Sequence, residues 1–248
     1  MEVAVKAAAK LSSAAKHLVR SILARYGLAI YSTRPHGRDD CHDLAASGVT
    51  ISVVFDVGAN DGSSALKFAA AFPAATIHSF EPVSTTFSRL VERTAKMRSR
   101  VCVHQLALGD EQADLPIFIT PHSTTDSFVN AGDAIRTELV TVTTLDAFAA
   151  PAVVIDLLKI DAEGYDLRVL RGAASLLADG RIRFILIEVG FHRDDPRHVL
   201  LDDVRDYLAP FGFVIYGIYD QQLEWSRENR LRYANVAFCH DSVLRARL

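Results

Sequence analysis

The sequence predicts an α/β protein: a mainly parallel sheet with helices on both faces, an antiparallel hairpin at one edge and a separate helical arm at the N-terminus. Three observations carry this prediction. Strand-like runs alternate with helical patterns from Val49 onward. The first run, Val53-Val54-Phe55-Asp56-Val57, stops at a glycine-containing turn that feeds a helix. The last two runs have no helical pattern between them.

Runs rich in β-branched, aliphatic and aromatic residues occur at 53–57, 76–80, 101–106, 153–160, 184–189, 213–219 and 234–239, which predicts seven strands. Helical spacing appears at 63–72, 85–96, 165–178 and 199–209, and such segments are the crossovers that parallel strands need. Residues 220–232 carry no such spacing, so the final two strands pair antiparallel. Residues 116–144 break the rhythm with Pro121, Ser123, Thr124, Thr125, Ser127 and Gly132, and read as an extra hairpin or lid. Long inserts at the carboxyl end of such a sheet often shape a substrate site.

At 248 residues and 50% hydrophobic content, the chain can bury one substantial core but not two full domains. The net charge of −3 is unevenly spread. Up to Arg38 there are seven Lys/Arg against Glu2 alone, a balance of +6, and the remainder carries −9. Residues 1–42 are therefore expected to form a basic arm and linker, and 43–248 the main domain. Within the arm, Leu11, Ala15, Leu18, Val19, Ile22 and Leu23 recur at helical spacing, with Lys10, Lys16 and Arg20 largely off that stripe. Docking on its own domain or on a second copy is the expected role; contact with an anionic membrane surface is the alternative. The turn-rich segment 33–42 separates arm from domain. Three cysteines without a CxxC pair fit neither a disulfide framework nor a structural zinc site. No run approaches the roughly 18 apolar residues of a membrane span, and Lys6, Lys10 and Lys16 interrupt any secretory signal core, so a cytoplasmic location is expected.

A strand that ends at Asp56-Val57-Gly58-Ala59-Asn60 and continues into a helix presents backbone N–H groups at the sheet's carboxyl edge. About two dozen residues later the next strand closes with Glu81-Pro82, an acidic tip suited to the two hydroxyls of a ribose. The third ends near Leu106-Ala107-Leu108-Gly109-Asp110. There, apolar side chains would sandwich an adenine while Asp110 or a backbone amide reads its amino edge. The dinucleotide pattern Gly-x-Gly-x-x-Gly is not met, since Asp56 stands at its first position and Asn60-Asp61 follow Gly58-Ala59 without the closing glycine, and no phosphate-binding Gly-Lys-Ser/Thr follows. S-adenosylmethionine carries an ammonium, a sulfonium and no phosphate, which suits acidic Asp56 and a close approach at Gly58. Asp56, Gly58, Ala59, Asn60, Glu81, Pro82, Ala107, Leu108, Asp110 and Asp161 are the candidate cofactor residues.

Several pieces resemble the FkbM-type S-adenosylmethionine-dependent methyltransferases: residues 55–62, Phe80-Glu81-Pro82, Ala107-Leu108-Gly109-Asp110 and Val142-Thr143-Thr144-Leu145-Asp146. The most specific is Lys159-Ile160-Asp161-Ala162-Glu163-Gly164-Tyr165, with Val169-Leu170-Arg171-Gly172-Ala173 and Ile187-Glu188-Val189 after it. The resemblance covers about residues 49–239, leaves the arm outside, and implies a seven-stranded Rossmann-like class I methyltransferase fold. It further implies O-methylation, often of sugars or polyketide-like hydroxyls.

Methyl transfer requires alignment of acceptor, methyl and sulfur, and a hydroxyl acceptor gains from a base within hydrogen-bond reach. Lys159, Asp161 and Glu163 alternate toward Gly164, Glu188 ends the next strand, and His192 follows it. These five are the catalytic candidates: His192 or Asp161 accepts the proton, and Glu163 and Glu188 position the hydroxyl or the base. Lys159 is equally expected to pair with a neighbouring acid. A divalent ion held by Asp161, Glu163, Glu188 and His192 is the runner-up, and a metal-free route ranks ahead of it because no compact ligand motif occurs. His122 and its Ser/Thr neighbours read as a solvated loop.

The expected acceptor is a small-molecule or glycan hydroxyl. The fourth strand end is Asp161-Ala162-Glu163-Gly164, not the Asn/Asp-Pro-Pro-aromatic turn of base aminomethylation, a Pro-Cys nucleophile is absent, and the main domain has no basic patch, so nucleic acid is not expected. A nucleotide-dependent oxidoreductase and a non-catalytic cofactor-binding module are the competing functions.

Overall fold

The run Val53-Val54-Phe55-Asp56-Val57 forms strand β1 (Val53–Val57), which lies inside the main sheet of the computed structural model. Its last four residues are buried, as a strand covered on both faces must be. The structure describes residue 21 and residues 36–121, 126–129, 132–223 and 230–245. The chain divides into two compact units, residues 1–39 and 40–248. The amphipathic arm lies outside the described residues apart from Ser21, and so do His122, Ser123, Thr124 and Thr125. Residues 40–42, expected as the end of a linker, instead open helix α1 (Asp40–Ala45) of the second unit.

After β1 come α2 (Ser63–Ala71), β2 (Thr76–Phe80), α3 (Ser84–Thr94), β3 (Val101–His104), β4 (Ala107–Leu108), β5 (Ala113–Ile119) and β6 (Arg136–Thr143). Then follow α4 (Leu145–Phe148), β7 (Ile155–Ile160), α5 (Asp166–Arg171), α6 (Ala174–Ala178), β8 (Ile182–Gly190), α7 (Leu201–Leu208), β9 (Phe213–Leu223), β10 (Leu231–His240) and α8 (Asp241–Arg245). The seven-stranded sheet runs β3-β2-β1-β7-β8-β10-β9, and β10 is antiparallel to both of its neighbours. Numbering only these strands, the order is 3-2-1-4-5-7-6. The expected edge hairpin is therefore β9–β10, folded so that its second strand lies inside and its first forms the edge.

Side chains alternate across the sheet with a period of two. Val54, Leu157, Phe184 and Leu186 face one layer with Leu44 of α1 and Ala65 and Phe68 of α2. Phe55, Leu158, Ile185 and Ile187 face the other with Val169, Leu170, Leu176, Val204 and Leu208 of α5 to α7. The helix expected over 165–178 is two short helices. A β-carbon on Gly172, where it breaks, would lie 1.8 Å from the carbonyl oxygen of Gly109. Asp146 then caps the second piece, accepting from the N–H groups of Ser175 at 2.9 Å and Leu176 at 3.0 Å.

The insert of 116–144 is the expected hairpin. β5 and β6 pair antiparallel, β4 adds a parallel third strand, and Val83, Ala107, Ile117, Ile119, Val140 and Val142 form a small core beneath them. Glu138 of β6 ties the hairpin to the start of α3 by accepting from the Ser84 N–H at 2.9 Å.

Candidate active site

In an open α/β sheet the ligand crevice lies at the carboxyl ends of the strands, where the strand order reverses. Here that point is between β1 and β7, and a cavity of about 740 Å³ opens there. Its walls come from the ends of β1, β2, β7 and β8, from residues 126–128 beside the hairpin, and from His198, Arg232 and Tyr233.

The first turn is shaped by contacts that exclude side chains. Gly58 has φ of 70°, and a β-carbon on it would lie 1.8 Å from the Asp161 carbonyl oxygen. The N–H groups of Gly58 and Ala59 both donate to the Phe80 carbonyl, at 3.1 and 2.9 Å, so the tip of β2 steers the turn after β1. Asn60, at φ of 47°, donates its N–H to Glu81 Oε2 at 3.0 Å, and Val83 donates to Oε1 at 2.9 Å. Glu81 is 6% exposed, and burial pushes its pKa up to about 7 despite these two donors. Gly58, Ala59, Asn60, Glu81 and Pro82 all line the cavity.

Asp56 does not line it. The residue is fully buried beneath the turn, and its Oδ2 accepts from the Ser64 hydroxyl at 2.7 Å. Its other oxygen lies 3.5 Å from Lys159 Nζ, so Asp56 reaches the site only through that lysine. Lys159 Nζ also lies 3.3 Å from Asp161 Oδ2 and 3.0 Å from the Gly58 carbonyl. Burial disfavours its charge, but Asp161 and Asp56 outweigh burial and raise its pKa, so the ammonium is permanent. Lys159 is the pillar joining the ends of β1 and β7, and Asp161 is the member of this trio with substantial exposure to the cavity, its side chain 36% exposed.

Beyond Asp161 the chain turns sharply. Glu163 has φ of 50°, Gly164 has φ of 93°, and buried Asp166 accepts from the N–H groups of Ala162 at 2.9 Å and Gly164 at 3.0 Å. This turn brings one carboxylate oxygen each of Asp161, Glu163 and Glu188 within 4.8 Å of one another. Burial, followed by the charges of Asp161 and Glu188, pushes the Glu163 pKa up to about 9. Glu163 is therefore neutral at pH 7 in this arrangement.

The histidine at this end of the cavity is His198, not His192. His192 Nε2 lies 2.9 Å from the Leu231 carbonyl and borders a shallow dent with Asp194, Asp195 and Arg232. His198 Nε2 sits 3.1 Å from Glu188 and its Nδ1 2.9 Å from Asp195. The loop after β8 doubles back, with the Gly190 N–H donating to the Val199 carbonyl at 2.8 Å, so the residue eight positions beyond Gly190 returns to the strand end. Sequence spacing gave no signal for His198, because half of what holds it comes from β10.

At the other end, Val83, Leu106, Ala107, Leu108, Ile117 and Phe128 offer an apolar slot. Asp110 lies outside it and pairs with Arg168 at 3.2 Å, so the polar group at the slot is Asp126, which accepts from the Thr120 N–H at 2.7 Å. Ile117, Asp126 and Phe128 belong to the insert, and only its general position hinted at them.

A doubly wound sheet of order 3-2-1-4-5-7-6, with a glycine turn after the first strand and an acidic tip on the second, defines a Rossmann-like class I methyltransferase fold. Residues 56–215 match the family described as the methyltransferase FkbM domain, and the chain belongs to that family. Its methyl donor is S-adenosylmethionine, which decides the choice against a dinucleotide. No curated protein matches the chain significantly in sequence. Similar solved structures include magnesium protoporphyrin IX methyltransferase from Synechocystis PCC 6803 with bound S-adenosylmethionine, at 13% identity and TM-score 0.49, covering 81% of this chain and 76% of that one. TrmK from M. capricolum, in complex with S-adenosyl-homocysteine, is 7% identical at TM-score 0.48 over 81% and 67% of the two chains. A TehB-like S-adenosylmethionine-dependent methyltransferase from Corynebacterium glutamicum is 10% identical at TM-score 0.44 over 89% and 93%. Among the described residues no helix is long and apolar enough to cross a membrane.

The side chains present fit this donor. Gly58 lines the cavity with bare backbone, the Glu81 carboxylate suits ribose hydroxyls, the hydrophobic slot suits a flat base, and Asp161 and Glu163 suit cationic groups.

Proposed function

We propose that the protein is an O-methyltransferase that moves the methyl group of S-adenosylmethionine onto a hydroxyl of a sugar, a glycan precursor or another small hydroxylated metabolite. The observation that supports this reading is the convergence of Asp161, Glu163 and Glu188 at the cavity beside the Gly58 turn. The bound donor supplies an electrophilic methyl on a sulfonium; the acceptor oxygen bonds to that carbon while the C–S electron pair stays on sulfur. Asp161, braced by Lys159, would hold the donor's ammonium. Glu188 takes the acceptor's proton as the new bond forms, since His192 lies elsewhere and Asp161 is committed to Lys159. Val83, Leu106 and Phe128 keep water from the slot.

The charges around the cavity favour an uncharged acceptor. Among the described residues five Lys and Arg cations line the cavity. Four are paired, Lys67 with Asp40, Lys159 with Asp56 and Asp161, Arg197 with Asp133 and Arg232 with Asp195, while Arg89 acts on Asp126 by its charge alone. Cations already neutralised in this way offer little to a phosphate backbone, whose binding rests on free Lys and Arg charge.

The test is methyl transfer from labelled S-adenosylmethionine to a panel of mono- and oligosaccharides, with and without a chelator. Transfer to a hydroxyl is expected, insensitive to EDTA, abolished by Glu188→Gln and retained within about twofold by His192→Ala, a change small on the scale of general-base loss. Full activity of Glu188→Gln would remove the base assignment. Transfer to nitrogen would remove the reading altogether, and a magnesium requirement its metal-free form.

A further inference from the structure

We propose that His198 is a positioning residue for this reaction: bridged between Asp195 and Glu188, it fixes the direction of the Glu188 carboxylate at the acceptor end of the cavity. The inference rests on the hydroxyl-methylation reading above, in which Glu188 receives the proton.

Both ring nitrogens of His198 face carboxylate oxygens, Nε2 to Glu188 at 3.1 Å and Nδ1 to Asp195 at 2.9 Å. The Nδ1 contact to Asp195 is a hydrogen bond and the Nε2 contact to Glu188 a close ion-pair distance, and carboxylates on both sides of the ring favour its doubly protonated form. The side chain is 6% exposed, and the ring stacks on Tyr233 of β10 with centroids 4.4 Å apart and planes 13° from parallel. Arg232, also on β10, donates its Nε to the same Asp195 oxygen at 2.8 Å. The resulting chain, Glu188–His198–Asp195–Arg232, alternates in charge and ends on a guanidinium anchored in the sheet.

Geometry around Gly190 allows this arrangement. A β-carbon on Gly190 would approach the β-carbon of His198 to 2.9 Å, so the end of β8 has to be bare for the histidine to settle against it. The charged and titratable groups facing the ring are Glu188 on β8, Asp195 on the loop, and Arg232 and Tyr233 on β10. Burial alone would lower the imidazole pKa, but Glu188 and Asp195 raise it instead.

The bridge has a consequence for Glu188. Three carboxylates converge here, and burial together with the charges of Asp161 and Glu188 pushes Glu163 up to about 9. A base must be aimed at the acceptor when it arrives, and the fixed ring plane of His198 sets where the Glu188 carboxylate points. Glu163 has no such contact, so the division of roles between these two acids follows from which one touches His198.

Nitrogen-15 NMR of the imidazole rings in the full chain, titrated from about pH 5.5 to 9.5 across the ordinary histidine range, tests the bridge without any substrate. One ring, assigned by its loss in His198→Gln, is expected to titrate above the ordinary histidine value and at a lower pH in Glu188→Gln. With an acceptor from the saccharide panel, His198→Gln is expected to lower kcat about tenfold or more, as loss of a general-base contribution does. Its Kd for S-adenosylmethionine should stay within about twofold, well under the tenfold that 1.4 kcal/mol represents. A His198 ring that titrates at the ordinary value, is unmoved by Glu188→Gln, or can be replaced without loss of kcat would overturn the proposal. An intact NMR signature with no hydroxyl methylated would instead overturn the functional reading and leave the bridge standing; transfer with no signature would do the reverse.

Discussion

Gly58 and Asp161 meet backbone to backbone: a β-carbon on Gly58 would lie 1.8 Å from the Asp161 carbonyl oxygen. The turn after the first strand and the end of the fourth strand of the sheet are therefore one surface, and the Asp161 N–H completes it by donating to the Val57 carbonyl at 3.2 Å. The donor turn cannot move without moving the acid beside it.

Gly58→Ala should separate these two strand ends. Alanine at φ of 70° carries a left-handed penalty of roughly 1–2 kcal/mol, and the clash with a carbonyl adds to it. Calorimetric affinity for S-adenosylmethionine should fall at least about tenfold, since 1.4 kcal/mol corresponds to a factor of ten. An unchanged affinity would show that the turn is not where the donor binds.

Donor binding should strengthen as pH rises through 7. Burial lifts the Glu81 carboxyl to about 7, so it is protonated below that pH and loses an acceptor oxygen for the ribose hydroxyls. Affinity should drop below pH 7 by up to about tenfold per pH unit, the limit for one linked proton. Above pH 7 Glu81→Gln should be weaker by about 1.5–3 kcal/mol for a lost hydrogen bond to a charged group, and it should lack this dependence, so that the two affinities converge at lower pH. A pH-independent wild-type affinity between about pH 6 and 8, the span over which such a group titrates, would count against ribose binding at Glu81.

A cationic donor should expel a proton from Glu163. Burial and the neighbouring acids hold that carboxyl at about 9, and a nearby positive charge favours its ionised form. Calorimetry at about pH 8, where Glu81 is already ionised, in buffers of different ionisation enthalpy should report net proton release on binding. The release should vanish in Glu163→Gln. Equal heats in all buffers would place the donor's charge away from Glu163.

Lys159→Met should destabilise the domain more than it disturbs any one contact. Asp56 is fully buried, and without the lysine its charge is uncompensated, a loss of about 3–5 kcal/mol for a broken buried pair. Urea unfolding would read this as a lower midpoint. Adding Asp56→Asn should recover part of it, and failure of the double variant to recover would mean that the two residues are not coupled.

Much of this fold was legible in the order of elements, because strand and helix periods are local properties. The sheet expected from seven runs is the sheet observed, and the antiparallel hairpin follows from the missing crossover. The single helix expected over 165–178 is interrupted at Gly172, where the Gly109 carbonyl, some sixty positions upstream, fills the place of a β-carbon and the Asp146 N–H donates to the Gly172 carbonyl. Asp110 looked like an adenine reader from its place at a strand tip, but Arg168 turns it aside. His192 looked like a base from its nearness to Glu188 in sequence. The loop instead returns to the strand end six residues later, and β10 fixes the outcome there through Arg232 and Tyr233.

The sequence by itself therefore determined the α/β alternation, the glycine turn, the acidic tip at Glu81 and the acidic run through Asp161 and Glu163, each of which depends on near neighbours along the chain. The tertiary structure alone decided that Asp56 works through Lys159, that the insert contributes Asp126 and Phe128 to the cavity, and that His198 stands beside Glu188. Those outcomes rest on ion pairs and packing between segments far apart in sequence. Such contacts leave no period or spacing in the chain and exist only once the sheet has brought its strand ends together.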